Sequence, residues 1–180
     1  MLFAPDTEVA LRSVVTLINS AANGDEHLST TEDLDRFLEA EGFTGSRTRD
    51  AAELASVKRL RGELAALWHA DESAAVDTVN RLLREARALP QLVKHDEWDW
   101  HLHATTPDAP LADRMSTEAA MALVDVIRSK EMDRMLVCAA EDCDAVVLDL
   151  SRNRSKRYCD TGNCANRAHV AAYRARKAAS

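Results

Sequence analysis

Over most of the chain, apolar residues recur at steps of three and four, the period of a helix with one buried face. Behind the acidic start Asp6-Thr7-Glu8, residues Val9, Leu11, Val14, Val15, Leu17 and Ile18 predict a mainly apolar helix to about Ser20. Asn23-Gly24 marks a turn. Thr30, with Asp33 three residues on, resembles a capping box. It opens an amphipathic helix through Leu34, Phe37 and Leu38 that stops at Gly42. Ala51, Leu54, Val57, Leu60, Leu64 and Leu67 share one face of a helix expected from about Arg47 to Ala70, with Glu53 and Arg61 on its wet side. A fourth helix, about 72–88, turns Val76, Val79, Leu82, Leu83 and Ala86 inward and ends at Leu89-Pro90.

The period then drops to two. Trp98, Trp100, Leu102 and Ala104 alternate with Asp99, His101 and His103, which predicts a strand with one buried face and places both tryptophans in the core. Leu92-Val93-Lys94-His95 before it, with Asp96-Glu97 as the turn, completes a hairpin. Helical spacing returns from Asp108 or Ser116 to about Lys130, carried by Leu111, Met115, Ala119, Leu123, Val126 and Ile127. A boundary falls near Ser129–Arg134, dividing a helical domain (1–130) from a small C-terminal module (131–180). The junction is short, so the two parts are expected to pack together.

Composition agrees with a mainly α fold. The 180 residues are 46% apolar and only 4% aromatic, with five Gly and four Pro. Charged residues make up 29% without a long like-charge block, which argues against gross disorder. No apolar run approaches the roughly 18 residues of a membrane span, and the first residues lack a basic targeting region. The expected location is the cytoplasm, where cysteines serve as metal ligands more often than as disulfides. There is no Gly-rich phosphate loop, metalloprotease helix or nucleophile elbow, so no enzyme is expected.

Four cysteines carry the chemistry. Cys138 and Cys143 are five positions apart, and so are Cys159 and Cys164, with fifteen residues between the pairs. Zinc takes four tetrahedral ligands and suits thiolate, and two close pairs leave no position open for water. That pattern predicts one structural zinc ion; a redox-switching site is a variant of it, and two disulfides or four unrelated thiols are the alternatives. Ala145–Leu150 reads as a strand, Ser151–Ser155 as a turn, Lys156-Arg157-Tyr158 as the return toward Cys159, and Cys164–Lys177 as a helix rich in Ala and Arg. Knuckle, hairpin and a helix with a cysteine pair at its N-terminus form a treble-clef arrangement.

These pieces resemble the CGNR zinc finger. The matching stretches are Val147-Leu148-Asp149-Leu150-Ser151-Arg152, Arg157-Tyr158-Cys159, Cys164-Ala165-Asn166-Arg167 and Ala171-Ala172-Tyr173-Arg174-Ala175-Arg176. Ala165 replaces the signature Gly; Ala is the better helix former, so the fold is expected to survive. More weakly, Leu17-Ile18-Asn19-Ser20, Leu28-Ser29-Thr30 with Asp33-Leu34, and Leu60-Arg61 resemble the ABATE domain, a stress-induced transcription-regulator module that usually precedes this finger. The resemblance implies a bacterial transcription regulator that binds zinc and double-stranded DNA.

The net charge of −7 is uneven. Residues 150–180 hold eight Lys/Arg against Asp160 alone, a charge of +7, which leaves −14 on the other 149 residues. Arg152, Arg154, Lys156 and Arg157 lie on or beside the predicted turn. Arg167 and Arg174 share a helix face, with Lys177 nearby, and Asn166 could bond a base or cap backbone. All eight are candidate nucleic-acid contacts. The competing reading is that these cations neutralise a zinc–thiolate centre of formal charge −2 or pair with the acidic body. His101 and His103, on one strand face with Asp99 and close to His95, allow a second metal or ligand site; a polar strand face explains them equally. The favoured function is a zinc-dependent DNA-binding regulator whose helical domain senses a small-molecule effector or forms a homodimer, with no membrane partner. The alternatives are an RNA- or ribosome-binding zinc protein and a protein-interaction module with a purely structural zinc site.

Overall fold

The structure, a computed structural model, describes residues 2–95 and 98–178, and of His95 and Trp98 the backbone alone. Helix α1 (Pro5–Asn19) starts on a proline, whose fixed φ and missing N–H suit the first helical turn. Helix α2 (Thr31–Ala40) has the expected capping box: Thr30 accepts from the Asp33 N–H, and the Asp33 carboxylate accepts from the Thr30 N–H. Asp50 and Asp71 cap α3 (Ala51–Leu67) and α4 (Glu72–Glu85) by accepting from the Glu53 and Ala74 N–H groups.

The Asp50 cap explains why α3 begins four residues later than its apolar spacing suggests. Arg49 takes a φ of 54°, outside helical space, and Glu53 turns back to accept from Arg47 Nε and the N–H groups of Thr48 and Arg49. Likewise α4 stops short because Arg87, at φ 51°, ends the helix with a left-handed residue. Helix α5 (Leu111–Arg128) lies centrally, packed by α1, α3 and α4, and α2 lies on α3. Leu11, Leu34, Val57, Leu64 and Val126 are at most 1% exposed and mark the core between them. Arg61 is not on a wet face but buried, its guanidinium held by Glu26 at 2.7 and 2.8 Å and by Ser20 Oγ at 2.9 Å. That pair holds the Glu26 carboxyl well below its ordinary range.

Strands β1 (Gln91–His95) and β2 (Trp98–His103) pair antiparallel, Leu92 opposite Leu102 and Val93 opposite His101. The expected alternation is present, but its apolar face is not buried. Trp100 is 67%, Leu92 65% and Leu102 43% exposed, and no further strand joins this two-stranded sheet among the described residues. The core placement of Trp100 is therefore corrected; the Asp96-Glu97 turn and the Trp98 side chain lie outside the described residues.

The C-terminal hairpin also differs from expectation. Ala145–Leu150 contains the strand β4 (Val146–Leu148), but its partner is β3 (Met135–Val137), upstream of the cysteines, and not the segment 156–158. The buried Asp149 is the reason. Its carboxylate accepts from Ser151 N (2.8 Å), Ser151 Oγ (2.5 Å) and Lys156 N (3.0 Å), which coils residues 151–156 into a loop instead of a ladder. Burial pushes this carboxyl's pKa up, and the bonds from Ser151 and Lys156 with nearby Arg134 outweigh it, so the group stays below its ordinary value. Arg134, itself buried, donates to the Asp149 and Ser151 carbonyls at 2.9 Å each. Helix α6 (Cys164–Ala178) closes the chain, with Cys164 its single buried residue. No helix among the described residues is long and apolar enough to cross a membrane.

Candidate metal centre

The β3–β4 hairpin carries Cys138 just after β3 and Cys143 at the end of the turn, and the start of α6 brings Cys164 to meet them. The return segment supplies Cys159, tied down by Ala139 N–H donating to Arg157 O (2.8 Å) and Cys159 N–H donating to Cys138 Sγ (3.4 Å). All four cysteines are buried and free, and their sulfurs lie within 4.8 Å of one another. Cys143 to Cys159 and Cys159 to Cys164 are each 3.7 Å apart. A zinc–sulfur length of about 2.3 Å puts tetrahedral sulfurs about 3.8 Å apart, so the cluster has the dimensions of a zinc site.

The donor chemistry fits as well. Burial and the neighbouring thiols push Cys143 up to about 12, and Cys164 is also raised, whereas Cys159 sits at about 7. For Cys159, burial acts upward, and hydrogen bonds from the Thr161 side chain and Gly162 backbone pull it down. So tight a group of thiols resists losing several protons unless a cation shares the charge. Space is equally tight: a Cβ on Gly162 would stand 3.2 Å from Cys164 Sγ. Ala165 occupies the first turn of α6 with helical backbone, so the absent Gly is not needed for a positive φ.

The module is bound to the helical body by residues that sequence reasoning missed. The Asn19 amide pairs with Val146 as a strand would, accepting from its N–H (2.8 Å) and donating to its carbonyl (2.9 Å). Trp68 Nε1 donates to Val147 O at 3.2 Å. Asn23, at φ 60°, gives its N–H to Asp144 and accepts the Asp144 N–H in return. Val146 and Leu148 are members of the main core. A faint signal existed: Asn19 sits at the end of an apolar stripe, where a buried amide needs a partner.

The eight basic and polar candidates separate into two sets. Arg167 donates to Asp142 (2.5 and 3.1 Å) and to Cys164 Sγ (3.3 Å), and holds the Asp142 carboxyl below its usual range. Arg154 is engaged by Glu131 at 2.7 Å and by Asp133, and Lys156 by Asp160 at 2.5 Å. Arg152, Arg157, Arg174 and Lys177 are exposed, and Asn166 is exposed beside Arg167.

A bundle of helices carrying a buried, closed four-cysteine cluster between a knuckle hairpin and a helix is a zinc-finger protein. Residues 134–177 match the CGNR zinc finger. Residues 11–130, two thirds of the chain, match the ABATE family, described as "Putative stress-induced transcription regulator", and the chain belongs to that family. A comparison with curated proteins finds no match.

Proposed function

We propose that the chain is a zinc-dependent, DNA-binding transcription regulator. Residues 1–130 form its regulatory body and 131–180 its DNA-contacting module, with Cys138, Cys143, Cys159 and Cys164 as the ligands of one zinc ion. Zinc supplies a fixed tie between the knuckle hairpin and the start of α6. The protein's own residues set what that tie orients. Asp149 and Arg134 hold the loop that presents Arg152, and Arg157 leads into Cys159. Helix α6 projects Arg174 and Lys177 into solvent.

The observation that carries this reading is the division of cations. Arg154, Lys156 and Arg167 are consumed by local acids, whereas Arg152, Arg157, Arg174 and Lys177 have no ion pair among the described residues. Exposed cationic groups on an otherwise acidic molecule suit phosphate oxygens. The engaged cations favour a second reading, in which the module is purely structural. A cleft of about 560 Å³ between α3, α4 and α5, lined by residues including Arg47, Arg59 and Leu111, is the candidate seat for an effector.

The test is binding of the zinc-loaded chain to duplex DNA across a salt series, with single-stranded and duplex RNA as competitors. Affinity should fall steeply with salt, and Arg152→Ala, Arg157→Ala and Arg174→Ala should each lower the slope by about 1. Absence of binding at low salt with zinc retained would leave the structural reading, and preferential competition by RNA would redirect the assignment to RNA.

A further inference from the structure

Outside the cysteine cluster, one pair of side chains is set for ligation. His101 and His103 project from the same face of β2, opposite Val93 and Gln91, with His101 half-buried and His103 exposed. Their Nε2 atoms are 3.0 Å apart. His101 Nδ1 lies 2.8 Å from the Asp99 carbonyl oxygen. A carbonyl oxygen only accepts, so His101 carries its proton on Nδ1 and donates there. In the neutral ring this leaves the Nε2 lone pair of His101 facing His103, which donates its own Nε2–H to it. A backbone carbonyl that fixes the tautomer in this way is the usual support of a metal-ligating histidine.

The spacing is compatible with a chelated ion. Nitrogens about 2.0–2.1 Å from an ion lie about 2.8–3.0 Å apart when they are cis at a right angle, and about 3.3–3.4 Å apart at a tetrahedral angle. The observed 3.0 Å is the right-angle value. We propose that His101 and His103 form a second, surface metal site for a divalent ion that favours square or octahedral nitrogen coordination, copper(II) or nickel(II), held by the two Nε2 atoms. On binding, the ion takes the place of the hydrogen shared between the two Nε2 atoms. This site is separate from the cysteine cluster in ligand type, and paired imidazoles bind copper(II) more tightly than zinc.

Calorimetric titration of the zinc-loaded full chain with nickel(II) tests the assignment, with zinc release followed by a chromogenic indicator. One ion should bind per chain without zinc release. His101→Asn and His103→Asn should each weaken binding about tenfold or more, since each removes a ligating nitrogen. His169→Asn, on α6, should leave it unchanged. Circular dichroism of each variant verifies that the fold is kept. Equal binding by wild type and the His101→Asn/His103→Asn double variant would overturn the proposal, as would binding that occurs only with zinc release.

Discussion

Asn19 is a helical residue that does the work of a strand. Its single amide satisfies both the N–H and the C=O of Val146 across 127 positions of sequence, inside a site where neither group meets water. Asn19→Ala would leave both unpaired. The cost of such buried groups is about 1–3 kcal/mol, and urea denaturation of the zinc-loaded protein should read a loss of that size. Asn19→Asp keeps an acceptor for the N–H but turns an anion on the carbonyl, so it should be at least as damaging. A loss below about 0.5 kcal/mol for both, the range of ordinary surface changes, would show that the amide is dispensable. Glu118 makes a second residue-scale prediction. The residue is exposed, yet desolvation of its carboxyl pushes it up to about 7 despite nearby Arg114. The unfolded value is 4.5, so between that value and about 7 the folded chain holds the extra proton. Stability therefore falls as pH rises through this window and levels off above it. Because water reaches the residue, the effect is smaller than the shift alone implies. Glu118→Gln should flatten the decline in melting temperature between about pH 5 and about pH 8; an unchanged profile would remove Glu118 from the account.

Among elements, the β1–β2 hairpin shows what a hydrophobic pattern can and cannot say. Alternation along Trp100, Leu102 and Ala104 establishes a strand with two unlike faces. Whether anything lies against the apolar face is a tertiary fact that no local pattern contains, and here Trp100 and Leu102 stand exposed. Trp100→Ser should change stability by no more than about 0.5 kcal/mol, whereas Leu64→Ala, at 1% exposure, should cost about 2–5 kcal/mol. A large loss at Trp100 would place it under cover. The five helices of the body were legible because each buries residues at helical spacing and three carry Asp or Thr caps. The cysteine cluster was legible because ligand spacing is itself local. Strand β3 was not, since three residues hold no period, and the loop after β4 was misread as a ladder because one buried carboxylate, Asp149, captures two backbone donors that strand pairing would have used, together with the Ser151 hydroxyl.

At the scale of the molecule, the zinc finger is not an appendage. Strand β4 inserts Val146 and Leu148 into the core built by α1, α3 and α5, and Asn19 and Trp68 hold its backbone. The same strand is held from the other side by the hairpin turn that carries Cys138 and Cys143. Whatever fixes the cysteines therefore also fixes a wall of the helical core. Binding that occurs only in the folded state stabilises it in proportion to the logarithm of ligand excess, about 4 kcal/mol at a thousandfold excess over the dissociation constant. Chelation should accordingly lower the melting temperature of the helices themselves, read by far-ultraviolet circular dichroism, and the zinc-loaded chain should melt in one calorimetric transition. Linkage makes the effect reciprocal, so Asn19→Ala, far from the sulfurs, should weaken zinc affinity by the factor by which it loosens β4. If chelation left the helical transition in place and removed only signals from residues after Cys138, the two parts would be energetically separate.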